Sequence, residues 1–280
     1  MGLDPDPAVA GAAFPDAAGD TPAARAGWAV ARWCEAVIER AGPACVAVKP
    51  QLACFERLGA PGWRALERVR DAARDAGLLV VADGKRGDVP VSAAAYAQAL
   101  FGSTPTPWGD AAGLDADAAT VNGVLGRDAL EPFVEAAAQH GAGLFVLVRT
   151  SNAGAADLLD APCEPGGAPF HERVASLVND LAPALRGSAG TSGVGAVVGA
   201  TEPRHIARLR ELMPEAIFLL PGVGAQGGTA AELGAAFRAG PASALVTASR
   251  SIAGSDDPAG AAETLREQVW DVACRARDGR

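Results

Sequence analysis

Short apolar runs alternate with amphipathic stretches along most of the chain, and this alternation constrains the fold more than any other feature of the sequence. The runs Ala44–Lys49, Leu78–Asp83, Ala118–Asn122, Gly143–Val148, Gly193–Val198, Ile217–Leu220 and Ser243–Thr247 are too short for helices and read as buried strands. Between and after them, helical periodicity covers Ala23–Ala41, Pro61–Ala76, Val89–Phe101, Arg127–His140, Phe170–Leu185, Pro203–Leu212, Thr229–Ala239 and Ala259–Ala276. The fragment Gly2-Leu3 supplies an eighth, truncated strand ahead of Asp4-Pro5. Eight strand–helix units in 280 residues imply a parallel sheet closed into a (β/α)₈ barrel, expected to form one domain over residues 1–280. A doubly wound open sheet is the alternative topology, but no Gly-x-Gly-x-x-Gly follows the first strand.

A barrel places its chemistry at the carboxyl ends of its strands. Asp4, Lys49, Asp83, Asn122, Ser151 and Arg250 all fall there. The densest stretch is Ala82-Asp83-Gly84-Lys85-Arg86-Gly87-Asp88, after the third strand. On a regular strand Asp83 and Lys85, two apart, leave on one face, whereas Asp88 lies past a glycine where the chain turns toward a helix. Lysine usage sharpens this: of 24 Lys and Arg residues only Lys49 and Lys85 are Lys, and each ends a predicted strand. Arg does not give up its proton in a protein, whereas a Lys ammonium can donate one.

Two glycine-rich loops follow the seventh and eighth strands. Pro221-Gly222-Val223-Gly224-Ala225-Gln226-Gly227-Gly228 lets the backbone approach a ligand closely, and Ala248-Ser249-Arg250-Ser251-Ile252 adds a guanidinium fork suited to phosphate oxygens. These are the loops where barrels most often hold a phosphate. A net charge of −9 excludes a non-specific nucleic-acid binder, which needs a basic face. No run is long and apolar enough for a membrane span, no signal peptide opens the chain, and five cysteines lack disulfide or zinc spacing. A soluble, cytoplasmic protein is expected. His140, His171 and His205 have no ligand spacing and read as surface or satisfied residues; Arg86 reads as a rim or packing residue, and Ser103–Gly113 as a loop.

Taken together, Asp83-x-Lys85-x-x-Asp88, Lys49, Thr150-Ser151-Asn152, the Gly222–Gly228 loop and Arg250 resemble orotidine 5′-phosphate decarboxylases, in the form similar to the bacterial type 2 branch. The resemblance runs from Asp4 to Ile252. It implies that Lys85 donates a proton to C6 of the pyrimidine, that Asp83 lies against the substrate carboxylate, and that Lys49 completes an alternating charge array. It further implies a homodimer in which Asp88 and Ser92 come across the interface, with Ser92 on the ribose. Asp4 and Lys49 match ribose contacts, Ser151 matches the residue that reads the base, and Gln226, Ser249 and Arg250 match the phosphate grip. The reaction it implies needs no metal and no cofactor.

Three departures from that pattern stand out. Apolar residues ending in Val usually precede Gly-Leu-Asp-Pro, so Met1 is expected to mark an internal codon read as a start; Gly123 replaces a usual Pro after Asn122; and Ala153 replaces a usual Pro after Asn152. The rival enzyme of the same suprafamily, a Mg²⁺-dependent sugar-phosphate decarboxylase or aldolase, places an acid where this chain has Lys49. A non-catalytic nucleotide-phosphate-binding barrel is the reading from another class.

Overall fold

The computed structural model describes residues 1–165, 167–224 and 226–277. Ten strands occur among them: β1 Gly2–Leu3, β2 Ala47–Pro50, β3 Leu79–Arg86, β4 Ser103–Thr104, β5 Ala111–Ala112, β6 Ala118–Val121, β7 Gly143–Arg149, β8 Ser192–Val198, β9 Ala216–Pro221 and β10 Ala244–Thr247. The chain divides into two compact units, Met1–Gly84 with Ser249–Arg266, and Lys85–Ala248 with Glu267–Arg280.

In the first unit β1, β2 and β3 form a parallel ladder, with Gly2 opposite Lys49 and Ala47 opposite Leu79. The first strand is short, as expected, yet it pairs with β2: the Lys49 N–H donates to the Met1 carbonyl and the Gln51 N–H to that of Leu3. Leu3, Val48, Val80 and Ala82 are buried, as are Leu52, Phe55, Leu66 and Val69 of the helices that follow β2. The helices Pro22–Ala41 and Ala60–Asp75 pack together. The first of these starts where its chemistry dictates, with Thr21 Oγ1 accepting from the Ala24 N–H and Pro22 filling the first helical position. A helix unforeseen from the sequence, Pro7–Ala13, has the same signature in Asp6-Pro7, the Asp6 carboxylate accepting from the Ala8 N–H.

In the second unit β6 through β10 pair in chain order, all parallel. The last residues of β3 belong here too, since the Asn122 N–H donates to the Arg86 carbonyl. Helices Arg127–His140 and Pro203–Leu212 match their expected limits. Two expectations need correction. Ser103–Gly113 is a loop closed by a two-stranded antiparallel ladder, β4 with β5, and Thr229–Ala239 forms a 3₁₀ helix over Ala230–Phe237 instead of an α-helix. Gly234 in the middle of that segment weakens its preference for an α-helix.

Arg210 ties the amino-terminal end of β9 to its surroundings. Its guanidinium, buried against the face of Phe218 at 3.7 Å, donates to the carbonyls of Met213, Pro214, Ala216, Ala236 and Ser243. Burial pushes its pKa down to about 10, and the carbonyls favour the charged form, so it is a cation at neutral pH. Arg210→Met should lower the unfolding free energy by at least about 3 kcal/mol, because each buried carbonyl left without a donor costs about 1–3 kcal/mol. Urea unfolding measures this, and a loss below about 1 kcal/mol would remove Arg210 from the anchoring role.

Candidate active site

The apolar run of β3 gives way, at Asp83, to a buried carboxylate. Asp83 is enclosed, and an ionised carboxylate taken from water needs a partner at once. Lys49 at the end of β2 supplies it, with Nζ 2.5 Å from Asp83 Oδ2 and the two side chains 12% and 7% exposed. Gln51 Nε2 donates to the same oxygen at 3.3 Å, and the Gln51 backbone pairs alongside Asp83. One of the two lysines of the chain is thereby paired with Asp83. Buried pairs of this kind add little net stability, while removing one member costs about 3–5 kcal/mol. Gln51 was not anticipated; it follows a strand-ending Pro, and only the ladder shows that it reaches Asp83.

On the same unit Asp4 is exposed just beyond β1. Ser249 Oγ donates to the Gly2 carbonyl at 3.2 Å, and Arg250 is exposed at the start of the short helix Arg250–Ala253.

On the second unit Lys85 has a φ of 49°, in the left-handed region that a side chain rarely adopts, at a cost of about 1–3 kcal/mol. Its N–H is held by Thr120 Oγ1 at 2.9 Å, and Thr120 is buried on β6. Lys85 lies within β3, so a left-handed residue interrupts the regular geometry of the strand near its end. Lys85 is exposed; Asp88 and Ser92 are half-buried, and Asp88 Oδ1 accepts from the Val89 N–H at 2.7 Å. Arg86 lies 5.5 Å from the centre of the Tyr96 ring, a packing role as expected.

The loops after β7 and β9 meet. Ser151 Oγ donates to Gln226 Oε1 at 2.9 Å, and Thr201 Oγ1 donates to the Ser151 carbonyl at 3.3 Å. This contact requires two glycines. A Cβ on Gly199 would lie 2.9 Å from the Ser151 backbone, and one on Gly222, whose φ is 111°, would lie 3.1 Å from Thr201 Cγ2. Within the loop the N–H groups of Gly224, Gly227 and Gly228 bond to carbonyls of Gly228, Gly224 and Gly222, so these three brace the loop itself. With its Oε1 occupied, Gln226 offers its amide N–H groups as donors.

A polar cluster behind Ser151 escaped the sequence reading. Arg149, buried at the end of β7, holds both oxygens of Asp160 at 2.7 and 2.9 Å. His171 Nδ1 lies 3.2 Å from Asp160 Oδ1, and the His171 and His205 rings meet edge to face at 4.9 Å. The expectation that the histidines are surface or satisfied residues is corrected for His205, whose buried Nε2 has no partner among the described residues. The Arg149 hydrogen bond holds the Asp160 carboxyl below the ordinary carboxylate range, and burial pushes His205 down. Asp160, His171 and His205 are close enough to share a metal ion. The Arg149 fork already takes a lone pair on each oxygen of Asp160 and would set a positive charge against the metal, so the set suits a guanidinium better than a metal ion.

Among the described residues no helix is long and apolar enough to cross a membrane, and the five cysteines are free thiols.

Comparison with known proteins places this architecture. The orotidine 5′-phosphate decarboxylase of Rhodopirellula baltica is 42% identical over 251 residues, 89% of this chain and 80% of the relative. That of Deinococcus radiodurans is 46% identical over 217 residues, 77% and 74% of the two. The structure of Leishmania donovani OMP decarboxylase, 32% identical, matches with a TM-score of 0.75 over 98% of this chain and 92% of its own. The crystal structure of the Methanocaldococcus jannaschii enzyme complexed with inhibitor BMP shares the fold at 18% identity, with a TM-score of 0.65 over 85% and 93%. The fold class is the expected (β/α)₈ barrel. With the profile described as "Orotidine 5'-phosphate decarboxylase / HUMPS family" matching residues 14–265, the chain belongs to that family.

Proposed function

We propose that the chain decarboxylates orotidine 5′-phosphate to UMP in de novo pyrimidine synthesis, as a cytoplasmic homodimer using neither metal nor cofactor. Relatives bearing the decarboxylase name at 42% and 46% identity support the reaction. The observation that carries the mechanism is the Lys49–Asp83 pair, 2.5 Å apart. A metal-dependent sugar-phosphate enzyme of the suprafamily would want an acid at position 49. Here an ammonium stands there, with its charge turned on Asp83.

In this reading CO₂ leaves C6 and the bonding electrons remain on carbon, in the ring plane, with no carbonyl positioned to delocalise them. A nearby ammonium must stabilise that charge and then protonate the carbon. Lys85 takes the role, its backbone strained and its main-chain N–H held by Thr120. Asp83 lies against the departing carboxylate; two carboxylates about 4 Å apart repel by around 4 kcal/mol at an effective dielectric of 20. Enzymes lower barriers by about 8–23 kcal/mol, so most of the acceleration comes from elsewhere. Binding energy from the phosphate, taken by Gln226, Ser249 and Arg250, holds the reacting centre in place. Asp4 and Lys49 contact the ribose, and Ser151 reads the base.

Asp88 and Ser92 act across the dimer interface. Val89 and Val91, beside them, are 56% and 85% exposed, which suits a surface covered by a second copy.

The direct test is loss of ultraviolet absorbance from orotidine 5′-phosphate in the presence of EDTA. Full turnover is expected, and activity restored only by Mg²⁺ would sink the reading. Lys85→Ala should lower CO₂ release by at least about 10²–10⁴-fold while UMP binding stays measurable by calorimetry; retained turnover would reject Lys85 as the donor. Mixing inactive Lys85→Ala and Asp88→Ala homodimers, then letting subunits exchange, should restore about a quarter of wild-type activity, since half the dimers are mixed and each has one intact site. No recovery, with exchange confirmed by mass spectrometry, would place Asp88 in the site of its own subunit.

A further inference from the structure

We infer that Arg149 and Asp160 are positioning residues for base recognition: their ion pair clamps both ends of the segment that carries Ser151. The inference rests on the reading that Ser151 contacts the pyrimidine. Arg149 Nε and Nη2 hold Asp160, and Nη1 donates to the Thr150 carbonyl at 2.6 Å, so one guanidinium pins the residue before Ser151 and the far end of the segment together. The Arg149 carbonyl accepts from the Gly199 N–H at 2.7 Å, which locks the clamp to the end of β8.

Between those two ends the segment has little apolar anchoring. Asn152, Ala153, Gly154 and Leu158 are exposed, its helix is only Ala155–Leu158, and Ala155 is its one buried apolar residue. An ion pair in this position adds little net stability, but it holds two distant backbone points at a set separation. The Arg fork suits that task because its donors are coplanar and rigid. His171 stiffens the far end, its N–H bonding to the Leu159 carbonyl at 2.9 Å and its ring nitrogen standing 2.7 Å from the same oxygen.

The test compares Asp160→Asn, Arg149→Lys and Ser151→Ala in the full-length protein, with melting temperature and steady-state kinetics measured for each. Asp160→Asn and Arg149→Lys should raise the KM for orotidine 5′-phosphate about tenfold with kcat within about twofold. Adding Asp160→Asn to Ser151→Ala should raise KM no further, because the clamp acts through Ser151. If Ser151→Ala leaves KM unchanged, the reading of Ser151 fails. If Ser151→Ala raises KM while Asp160→Asn and Arg149→Lys do not, or if the effects multiply, the clamp fails and the reading of Ser151 stands. Hydrogen exchange of residues 150–160 gives a readout independent of turnover: exchange should quicken at least tenfold in Asp160→Asn and stay at the wild-type rate in Ser151→Ala. Equal exchange in wild type and Asp160→Asn would overturn the proposal.

Discussion

An apolar run that gives way to a buried carboxylate sets a demand that the neighbouring strand must meet. β3 has Val80, Val81 and Ala82 in the core and then Asp83, still enclosed. An isolated carboxylate there would cost several kcal/mol or take up a proton. Lys49 answers it from β2, which fixes how the ends of the two strands must align: Ala47 beside Leu79, Val48 beside Val80, and the polar pair just beyond. The register of the ladder and the charge pattern of the site are thus one constraint.

Strain and close approach recur where chemistry is expected. Lys85 departs from extended geometry and depends on Thr120 to hold its amide. Gly222 and Gly199 occupy positions where any side chain would push against Thr201 or Ser151, and this lets Ser151 and Gln226 bond directly. Such features cost stability locally and persist because the surrounding ladders over-determine them. Arg210 shows the opposite use of a buried cation, at the amino-terminal side of β9, where its carbonyl partners belong to several elements and the result is cohesion.

Much of this was legible because it depends on local periodicity. The helices Arg127–His140 and Pro203–Leu212 have clean apolar stripes and end at Gly141 and Met213, and they form as expected. The strands were visible as short apolar runs bounded by polar residues or glycine. Elements with weak periodicity were not: Pro7–Ala13 is Ala-rich, with only the Asp6-Pro7 start to mark it, and β4 and β5 are two residues each. The candidate site residues divide in the same way. Lys49, Asp83, Lys85, Ser151 and Gln226 stood out by type and by place at strand or loop ends. Gln51, Thr120, Arg149, Asp160 and His205 did not, since each matters through a partner distant in sequence.

The chain by itself determined the alternation of strands and helices, the short first strand, and which polar residues sit at strand ends, because burial and periodicity act over a few neighbouring residues. Only the tertiary structure decided that Lys49 turns to Asp83, that Lys85 leaves the extended region, and that Arg149 closes on Asp160. Those outcomes depend on hydrogen bonds and ion pairs between residues up to 35 positions apart, as between Lys85 and Thr120, and such bonds form only once packing has removed water and left each buried polar group to find its partner.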